Sequence, residues 1–386
     1  MSTLKVDGIR SNSASSDAIT LASDGTCTAN ITNNLSNRNK IINGAMQVVQ
    51  RGTSFTPSGT EQPYTMDRFQ HIGTSGIDFD STDTQSTDHP DGFSFSMKIT
   101  PDTTDTPTGS ANAAIQHRIE GQDMQDLAYG TSSAKQITLS FYAKSSSQNN
   151  GHQYGAELAH YASDGTRRLI NASFTVTSSW QRFTFTFDGD VSHDIVNSNA
   201  RGFDVNIHLA SGSDDIATHT SWTSNSLFRT PTGQSNFLDN TSNEFYITGI
   251  QLERGNVATD FEHRSYAQEL ALCHRYYQKY SADGNSYRYL CTGSMDNDGD
   301  SGQFYMMLHT PMRTAISSMD TTGTAGDYAM RQASTETCTA VPTLHATTTH
   351  SCYLVFVSSS VGWSTGRAIA AVFKDSSAYL GFSAEL

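Results

Sequence analysis

Repeated alternation of apolar and polar residues is the feature of this sequence that most limits what the chain can fold into. Between about residue 40 and residue 264, apolar side chains recur at every second position in several stretches, separated by turn-rich segments. This period of two is typical of β-strands that bury one face. The clearest runs are Phe93, Phe95, Met97 and Ile99; Ile137, Leu139, Phe141 and Ala143; Phe183, Phe185 and Phe187; and Phe203, Val205, Ile207 and Leu209. The pattern predicts an all-β protein whose main domain is an antiparallel β-sandwich of the jelly-roll type.

The last strand pattern of this region departs from strict alternation. Between Phe245 and Leu252, the apolar positions change sides at Gly249 and Ile250. A glycine inside a strand pattern often marks the point where one strand gains an extra residue opposite its neighbour. We therefore predict a β-bulge at Gly249.

Residues 1–38 differ in composition from the rest of the chain, because they are rich in Ser and Asn. They contain two Asp-Gly pairs, Asp7-Gly8 and Asp24-Gly25, which are typical of tight turns between short strands. A segment with so few apolar residues cannot build a core of its own. We therefore expect its short strands to pack against the same segment of other subunits.

The remainder of the chain divides into three segments by the same reading of periodicity. Residues 39–264 hold the predicted jelly-roll domain. Residues 265–280 are the one stretch with helical spacing and predict a short connecting helix. Residues 281–386 return to β alternation and predict a smaller C-terminal β-sandwich domain. One face of the predicted helix carries Leu270, Cys273, Tyr276 and Tyr277.

Charge and hydropathy exclude several classes of partner. The chain carries 38 Asp and Glu against 24 Lys and Arg, a net charge of −14, so we expect neither nucleic acid nor an anionic membrane as a partner. Its apolar runs are far shorter than the ~20 residues of a membrane-spanning helix. The N-terminus lacks the apolar core of a secretory signal, which predicts a protein that is folded in a cytoplasm or leaves the cell by a route other than signal-directed export. Five scattered cysteines without a CxxC pair predict free thiols.

Five stretches, taken together and in this order, resemble the fibre proteins of tailed bacteriophages. They are LKVDGIRSNSASSDAITLASDGT near the N-terminus; NKIINGAMQVVQRG followed by YTMDRF; ITGIQLERGNVATDFEHRSYAQELALCHRYYQKY; LHTPMRTAI; and AYLGFSAEL. The resemblance implies a homotrimeric tail fibre, located on the virion, that recognises and attaches to the host. It also implies that residues 1–38 attach the fibre to other tail or baseplate proteins. Residues 281–386 would form the receptor-binding tip.

The function expected from this resemblance is that of a non-catalytic adhesin that binds a cell-surface glycan or lipopolysaccharide. Trimerisation also has a physical reason, since exposed sheet edges gain by being covered between subunits. Two alternatives remain open. One is a purely structural head fibre or an adaptor on the virion. The other is a polysaccharide depolymerase, which the sequence supports less, because it shows no repeat of a β-helix and no catalytic motif.

Two tryptophans are the candidate ligand-binding residues. Carbohydrate sites on β-sandwiches use exposed aromatic rings to stack on the apolar face of a pyranose. Trp363 lies in a Gly- and Ser-rich loop of the predicted tip, and Trp222 lies in a polar loop of the jelly-roll domain. For both residues, packing within the fold or against another subunit is the alternative role.

An acidic stretch is a weak candidate for calcium. Asp296, Asp298 and Asp300 stand at alternate positions, as carboxylates do in calcium-binding loops. The sixth and twelfth positions of such a loop require Gly and Glu, and here they are Ser301 and Met307. A solvated acidic turn is therefore the favoured interpretation, and we expect no cofactor.

Overall fold

The architecture is all-β, as the alternation predicts. The computed structural model describes residues 6–13, 15, 17–21, 23, 27–29, 36–224, 229–359 and 362–386. In this part of the chain the residues form 24 β-strands in five sheets and one short α-helix. Short 3-10 helices occupy Gly121–Leu127, Ser213–Asp215, Phe237–Asp239 and Ala325–Asp327.

The N-terminal segment forms a small antiparallel sheet of β1 (Gly8–Ile9), β2 (Ile19–Leu21) and β3 (Cys27–Ala29). The turn predicted at Asp7-Gly8 is wrong, because Gly8 lies in β1 and pairs with Thr20. A Cβ atom on Gly8 would lie 2.2 Å from Asp17 Oδ2, so glycine permits the close approach of that carboxylate. The second predicted turn, Asp24-Gly25, lies outside the described residues.

Eleven strands build the first sandwich, in chain order β4 (Ser54–Phe55), β5 (Phe69–Gly73), β6 (Ser81–Ser86), β7 (Ser96–Pro101), β8 (Asn112–Glu120), β9 (Ile137–Ser145), β10 (Gln153–Tyr161), β11 (Arg167–Thr175), β12 (Gln181–Phe187), β13 (Arg201–Ser211) and β14 (Phe245–Arg254). A five-stranded sheet has the order β11-β10-β13-β8-β5, and a six-stranded sheet has the order β12-β9-β14-β7-β6-β4. Both sheets are antiparallel throughout.

The apolar residues of the predicted strands fill the space between these two sheets. Phe203 and Leu209 of β13 and Leu139 and Phe141 of β9 are completely buried in one hydrophobic cluster. The strand predicted from Phe93 is shorter than expected, because β7 begins only at Ser96. The outer sheet faces are therefore the places where this sandwich can present polar chemistry.

The bulge predicted at Gly249 is confirmed. Thr248 of β14 pairs with Tyr142 of β9, whereas Gln251 pairs with Ser140, so β14 carries one extra residue at this point. Gly249 has a φ of 63°, and a Cβ atom there would lie 2.6 Å from the Phe93 ring. Only glycine meets both demands without strain.

The connecting helix is shorter than the sequence predicts. Helix α1 (Tyr266–His274) begins with a capping box in which Ser265 accepts from the Gln268 backbone and the Gln268 side chain accepts from that of Ser265. Beyond Arg275 the chain becomes strand β15 (Tyr277–Ser281), which corrects the predicted helix over 265–280. The reason is long-range pairing with the C-terminal strand, which helical spacing cannot reveal.

Nine further strands follow β15, namely β16 (Arg288–Met295), β17 (Ser301–Met307), β18 (Ser318–Thr321), β19 (Tyr328–Arg331), β20 (Thr335–Thr337), β21 (Thr343–Thr347), β22 (Ser351–Val357), β23 (Ala368–Phe373) and β24 (Tyr379–Ser383). They form a three-stranded sheet, β15-β24-β18, and a seven-stranded sheet, β20-β19-β23-β16-β17-β22-β21. Leu380 and Phe382 of the smaller sheet share a hydrophobic core with Phe304 and Phe356 of the larger one. This arrangement is a second sandwich.

The two sandwiches meet through the last residues of the chain. Arg68, which is buried, pairs with Glu385, donates to the backbone oxygen of Arg118 and lies 3.5 Å from the ring centre of Tyr276. The Leu386 oxygen accepts from Arg118 and, at 3.0 Å, from Tyr64. The C-terminal residues thus lie against the first sandwich.

Two further sequence predictions can be compared with the fold. Among the cysteines whose side chains are described, Cys273, Cys291, Cys338 and Cys352 are free. Within the described ranges, no helix has the length and apolar character needed to cross a bilayer.

Candidate functional site

A row of large polar side chains crosses the outer face of the five-stranded sheet. The strand registers place Asn171, Glu157, Asn206, Gln116 and Gln70 side by side, one from each strand. All five are buried, with exposed fractions between 0 and 7%. Amide and carboxylate groups are costly to bury unless they are hydrogen-bonded, so such a row requires a dedicated network. We call this the polar row.

The three central members of the polar row, Gln116, Asn206 and Glu157, are linked by hydrogen bonds that run in one direction. Arg118 Nε donates to Gln116 Oε1 over 2.6 Å, and Gln116 Nε2 donates to Asn206 Oδ1 over 2.7 Å. Asn206 Nδ2 in turn donates to Glu157 Oε2 over 2.9 Å. Each amide therefore has one fixed orientation, set by an arginine at one end and a carboxylate at the other. The network presents its remaining donors and acceptors in a defined pattern.

Glu157 is the acceptor on which this network converges. It also accepts from Arg167 and, over 2.9 Å, from His208 Nε2. Burial opposes ionisation, but the charge of Arg167 and the His208 hydrogen bond outweigh it and lower the pKa of Glu157 to about 2. Asn112 Nδ2 lies 2.8 Å from His208 Nδ1, so the geometry assigns the ring hydrogen of His208 to Nε2. At neutral pH, Glu157 is therefore a carboxylate.

Charged pairs stand at the rim of the polar row. Arg201 Nε donates to Asp204 Oδ1 over 2.8 Å, and its guanidinium carbon lies 4.8 Å from the ring centre of Tyr161. The hydroxyl of Tyr161 donates to Asp204 Oδ2 over 2.9 Å. Arg229 pairs with the buried Asp215 over 3.1 Å. These pairs hold the guanidinium groups at fixed positions around the row.

The segment between β13 and β14 forms one wall of a cleft above the polar row. Asn171 Nδ2 donates to the Ala217 oxygen over 2.8 Å, and Gln234 Nε2 donates to the His208 oxygen over 3.0 Å. A cleft of about 230 Å³ remains open over the sheet. Its lining includes Ile72, Ala114, Gln116, Glu157, Asn206 and Arg229. We call it the polar cleft.

The chemistry of the polar cleft is that of hydrogen-bonding recognition. Arg167 Nη1 is buried and has no hydrogen-bond partner among the described residues, so it offers a free donor. Carboxylate, amide, imidazole and guanidinium groups together can satisfy both the donor and the acceptor side of a hydroxyl group. In the part of the chain that the structure describes, no group of three or more His, Cys, Asp or Glu could hold a metal ion.

Trp222 lies in the first sandwich as a partly buried packing residue. Its Nε1 donates to the Asp188 oxygen over 2.7 Å. The edges of the Tyr129 and His160 rings meet it at centroid distances of 5.6 and 4.9 Å. These contacts are those of the alternative role, packing within the fold. A ligand role for Trp222 stays a prediction.

Trp363 lies in the second sandwich, so the structure does not bring the two candidate tryptophans together. It is partly buried and packs against the second hydrophobic core. Ser360 and Val361, which belong to the same loop, lie outside the described residues. Stacking of a sugar on Trp363 also stays a prediction.

The acidic stretch forms the turn between β16 and β17. Asp298 accepts from the backbone nitrogens of Asp300 and Ser301, both over 2.9 Å, and from the Ser301 hydroxyl over 2.7 Å. These bonds lower the pKa of Asp298. Asp296 Oδ1 accepts from the Asn297 nitrogen over 2.7 Å. The carboxylates of Asp296 and Asp298 hold the turn, and the stretch forms no metal-binding group with Asp300.

The polar row was missed by the sequence interpretation, although a signal for it exists. In β13 the residues between the core positions are Asp204, Asn206 and His208, whereas those of β12 are Thr184 and Thr186. Thr on an outer face is typical of a solvated sheet, while Asp, Asn and His demand partners once they are buried. This difference lies in the polar positions of the alternation, whereas the strand prediction rests on the apolar positions.

Comparison with known proteins gives distant structural likenesses only. No family model and no curated protein sequence matches the chain. The enzymatically active domain of tailspike protein 4 from bacteriophage CBA120 is 13% identical over 56% of this chain and 21% of that chain, with a TM-score of 0.30. A sugar-binding protein from Bacteroides thetaiotaomicron is 12% identical over 56% and 100%, with a TM-score of 0.32. A CBM4 carbohydrate-binding module is 15% identical over 55% and 97%, with a TM-score of 0.28. These values are too low to assign the chain to any of these families.

Proposed function

We propose that this chain is the subunit of a trimeric bacteriophage fibre that attaches the virion to a glycan or lipopolysaccharide of the host surface, and that the polar cleft binds this glycan without cleaving it. The observation that carries the proposal is the polar row, buried and oriented on an outer sheet face. The five resemblances to fibre proteins support the fibre part of it.

The polar row supports recognition of a polyhydroxylated ligand. A sheet face that contacts only water does not need amides of fixed orientation, because Ser, Thr or Lys side chains can form hydrogen bonds with water in any direction. Here Gln116 and Asn206 are held in one orientation by their neighbours. A ligand hydroxyl that matches this pattern keeps all groups paired, while a mismatched one leaves a buried group unpaired, at a cost of about 1–3 kcal/mol. Such a site discriminates between sugars by the direction of their hydroxyls.

The charges of the cleft support a ligand that carries some negative charge. Four arginines, Arg118, Arg167, Arg201 and Arg229, stand around the row, against the carboxylates of Glu157, Asp204 and Asp215. The whole chain has a net charge of −14, so this region is locally more positive than the rest. Phosphate and acidic sugars of lipopolysaccharide fit such a field.

Binding strength does not depend on one site alone. Three clefts on a trimer, and several fibres on one virion, convert modest single-site affinity into stable attachment. A cleft of about 230 Å³ with mostly polar contacts is suited to weak, specific binding. The proposed function therefore requires trimers for adhesion.

The test is adhesion of fluorescently labelled full-length protein to host cells, with the molar mass measured by light scattering. We expect the native trimer to bind and Asn206→Leu to bind at least about tenfold more weakly, because Glu157 and Gln116 lose a partner. Thr184→Val, on the exposed face of the six-stranded sheet, is the matched control and should bind as the native protein does. The rim variant Tyr161→Phe provides a second test should Asn206→Leu fail to fold.

Three outcomes would contradict the proposal. A native trimer that does not adhere indicates a structural head fibre or an adaptor. Adhesion that Asn206→Leu and Tyr161→Phe leave unchanged places binding elsewhere, and Trp363→Ala is then the next variant. A rise in reducing ends when host polysaccharide is incubated with the protein indicates a depolymerase.

A further inference from the structure

A second, chemically different groove lies where the two sandwiches meet. It has a volume of about 400 Å³ and lies on the side of the junction formed by β4, β15, β18 and β24. The first sandwich contributes Arg51, Phe55, Gln62 and Tyr64, and the second contributes Tyr277, Asp320 and Tyr379. We call this the junction groove. Because both sandwiches supply walls, neither of them contains the groove alone.

Aromatic rings dominate the junction groove, in contrast to the polar cleft. Phe55, Tyr64 and Tyr379 are each partly exposed there. Lys279 Nζ lies 4.4 Å from the ring centre of Tyr379, and the Arg51 guanidinium lies 3.6 Å from that of the buried Tyr277. These cations fix the rings in place. The groove therefore presents rigid aromatic surfaces along its walls.

Polar groups stand between the rings and face each other across the groove. Arg51 uses Nη2 for Glu385, while its Nη1 is buried without a hydrogen-bond partner among the described residues. Asp320 is exposed and forms no ion pair within the described part of the chain. Gln62, also exposed, donates to the Gly73 oxygen over 3.2 Å and keeps its own oxygen available. The groove thus offers a donor, two acceptors and aromatic faces.

We propose that the junction groove is a second carbohydrate-binding site, one that takes an uncharged pyranose stacked on Tyr379 or Tyr64. A pyranose has an apolar face for a ring and hydroxyls at its edge for Arg51 and Asp320. The carboxylate of Asp320 interacts with the Tyr277 side chain but forms no ion pair among the described residues, so it repels an anionic ligand, while Arg51 pairs with Glu385. The choice of carbohydrate as ligand class rests on the proposed function, but the site is separate from the polar cleft.

Ligand binding in the junction groove would also join the two sandwiches. Arg51 and Tyr64 belong to the first of them, and Asp320 and Tyr379 belong to the second. A ligand that contacts both sides binds only when the two sandwiches are packed together, so it stabilises their junction by mass action. On a glycan-covered surface, ligand bound in this groove would therefore strengthen the packing of the two sandwiches against each other.

The test is saturation-transfer NMR of the full-length protein with methyl glycosides of glucose, galactose, mannose and rhamnose, and with methyl glucuronide as the anionic probe. We expect transfer to at least one uncharged glycoside from the junction groove, whereas any transfer to the glucuronide should come from the polar cleft and be lost in Asn206→Leu. Tyr379→Ala should weaken the uncharged glycoside by about tenfold, because it removes the stacking surface. Asp320→Asn should weaken it less and, when combined with Asn206→Leu, should admit the glucuronide.

Two variants separate this site from others. Tyr305→Ala removes an equally aromatic but distant side chain of the same sandwich and should leave the transfer unchanged. Asn206→Leu removes transfer from the polar cleft and should leave the transfer that depends on Tyr379 in place. The proposal is overturned by the absence of transfer to every uncharged glycoside, by transfer to them that Tyr379→Ala and Asp320→Asn do not reduce, or by transfer to them that Asn206→Leu abolishes. In each case, adhesion to host cells still decides the proposed function independently.

Discussion

The outer faces of the five-stranded and the seven-stranded sheet differ in which side chains they leave exposed. On the five-stranded sheet, the polar row is at most 7% exposed and every member comes from a different strand. On the seven-stranded sheet, Tyr305 is 67% exposed and Met307 is 71% exposed, and Tyr305 stacks on Tyr353 at a centroid distance of 5.0 Å. One face is closed and polar, and the other is open and aromatic. The closed polar face needs internal hydrogen-bond partners, whereas the open aromatic face does not.

The two faces should also respond differently to mutation. Groups of the polar row depend on each other, so removal of one leaves another buried and unpaired. The rings on the seven-stranded sheet meet water and can be removed without leaving a buried polar group. We therefore expect large losses of stability on the first face and small ones on the second.

Glu157→Ala should have the largest effect. Arg167 and His208 then lose the carboxylate that they contact, and the charge of Arg167 remains in a largely buried position. Breaking a buried pair in this way costs about 3–5 kcal/mol in the free energy of unfolding. Denaturant unfolding monitored by tryptophan fluorescence measures it. A loss below about 1 kcal/mol would show that the polar row is not a coupled network.

Acid should destabilise the first sandwich in the same way. The pKa of Glu157 is lowered from 4.5 to about 2, so its contribution is complete above pH 4.5 and is lost as the pH falls from there towards 2. The shift corresponds to about 3 kcal/mol. Denaturant unfolding between pH 5 and 2, in the range of this titration, should show the decline in the native protein. Glu157→Gln should show a weaker pH dependence, and an equal dependence would rule out this carboxylate as its cause.

Gly381→Ala should have an intermediate effect and tests the junction between the sandwiches. A Cβ atom at this position would lie 1.9 Å from the Tyr277 hydroxyl oxygen, so the ring, against which Arg51 packs, must shift. Overpacking of this kind costs about 1–3 kcal/mol. Thermal unfolding gives the loss. The matched control is Gly326→Ala, whose added methyl group meets no atom within 4 Å. Equal stability of the two variants would contradict the packing described for Tyr277.

Tyr305→Ala should have the smallest effect. Its side chain loses a stacked neighbour but leaves no cavity, so the change in the free energy of unfolding should stay within about 0.5 kcal/mol. Denaturant unfolding of a dilute sample measures it. A larger loss that depends on protein concentration would mean that another subunit covers this face.

Much of the fold follows from local patterns in the sequence. The alternation predicts the buried faces of β9 and β13, and Gly249 predicts the bulge in β14. Both predictions succeed because strands and bulges have sequence patterns that extend over only a few neighbouring residues. The end of α1 could not be predicted, because Tyr277 joins a sheet with a strand that lies about a hundred residues later in the chain. Local periodicity contains no information about such a partner.

The candidate site was less predictable than the fold. Asp204, Asn206 and His208 occupy positions that a sandwich normally turns to water. They are buried here because the neighbouring strands carry Glu157 and Gln116 at matching registers and because the segment after β13 folds over them. Strand order and loop packing are long-range properties. The two candidate tryptophans, Trp222 and Trp363, are partly buried and pack against the two cores, and their ligand role stays a prediction.

Hydroxyl-radical footprinting of the full-length protein, with and without purified host surface polysaccharide, distinguishes binding at the polar cleft from binding on the second sandwich. The method reports the accessibility of individual side chains on both outer faces in one experiment. If the polar cleft binds the polysaccharide, the polysaccharide protects Tyr161, which is partly exposed at its rim, while Tyr305 and Tyr353 react as before. Protection of Tyr305, Tyr353 or Trp363 without protection of Tyr161 would contradict binding at the polar cleft and would move the recognition surface to the second sandwich.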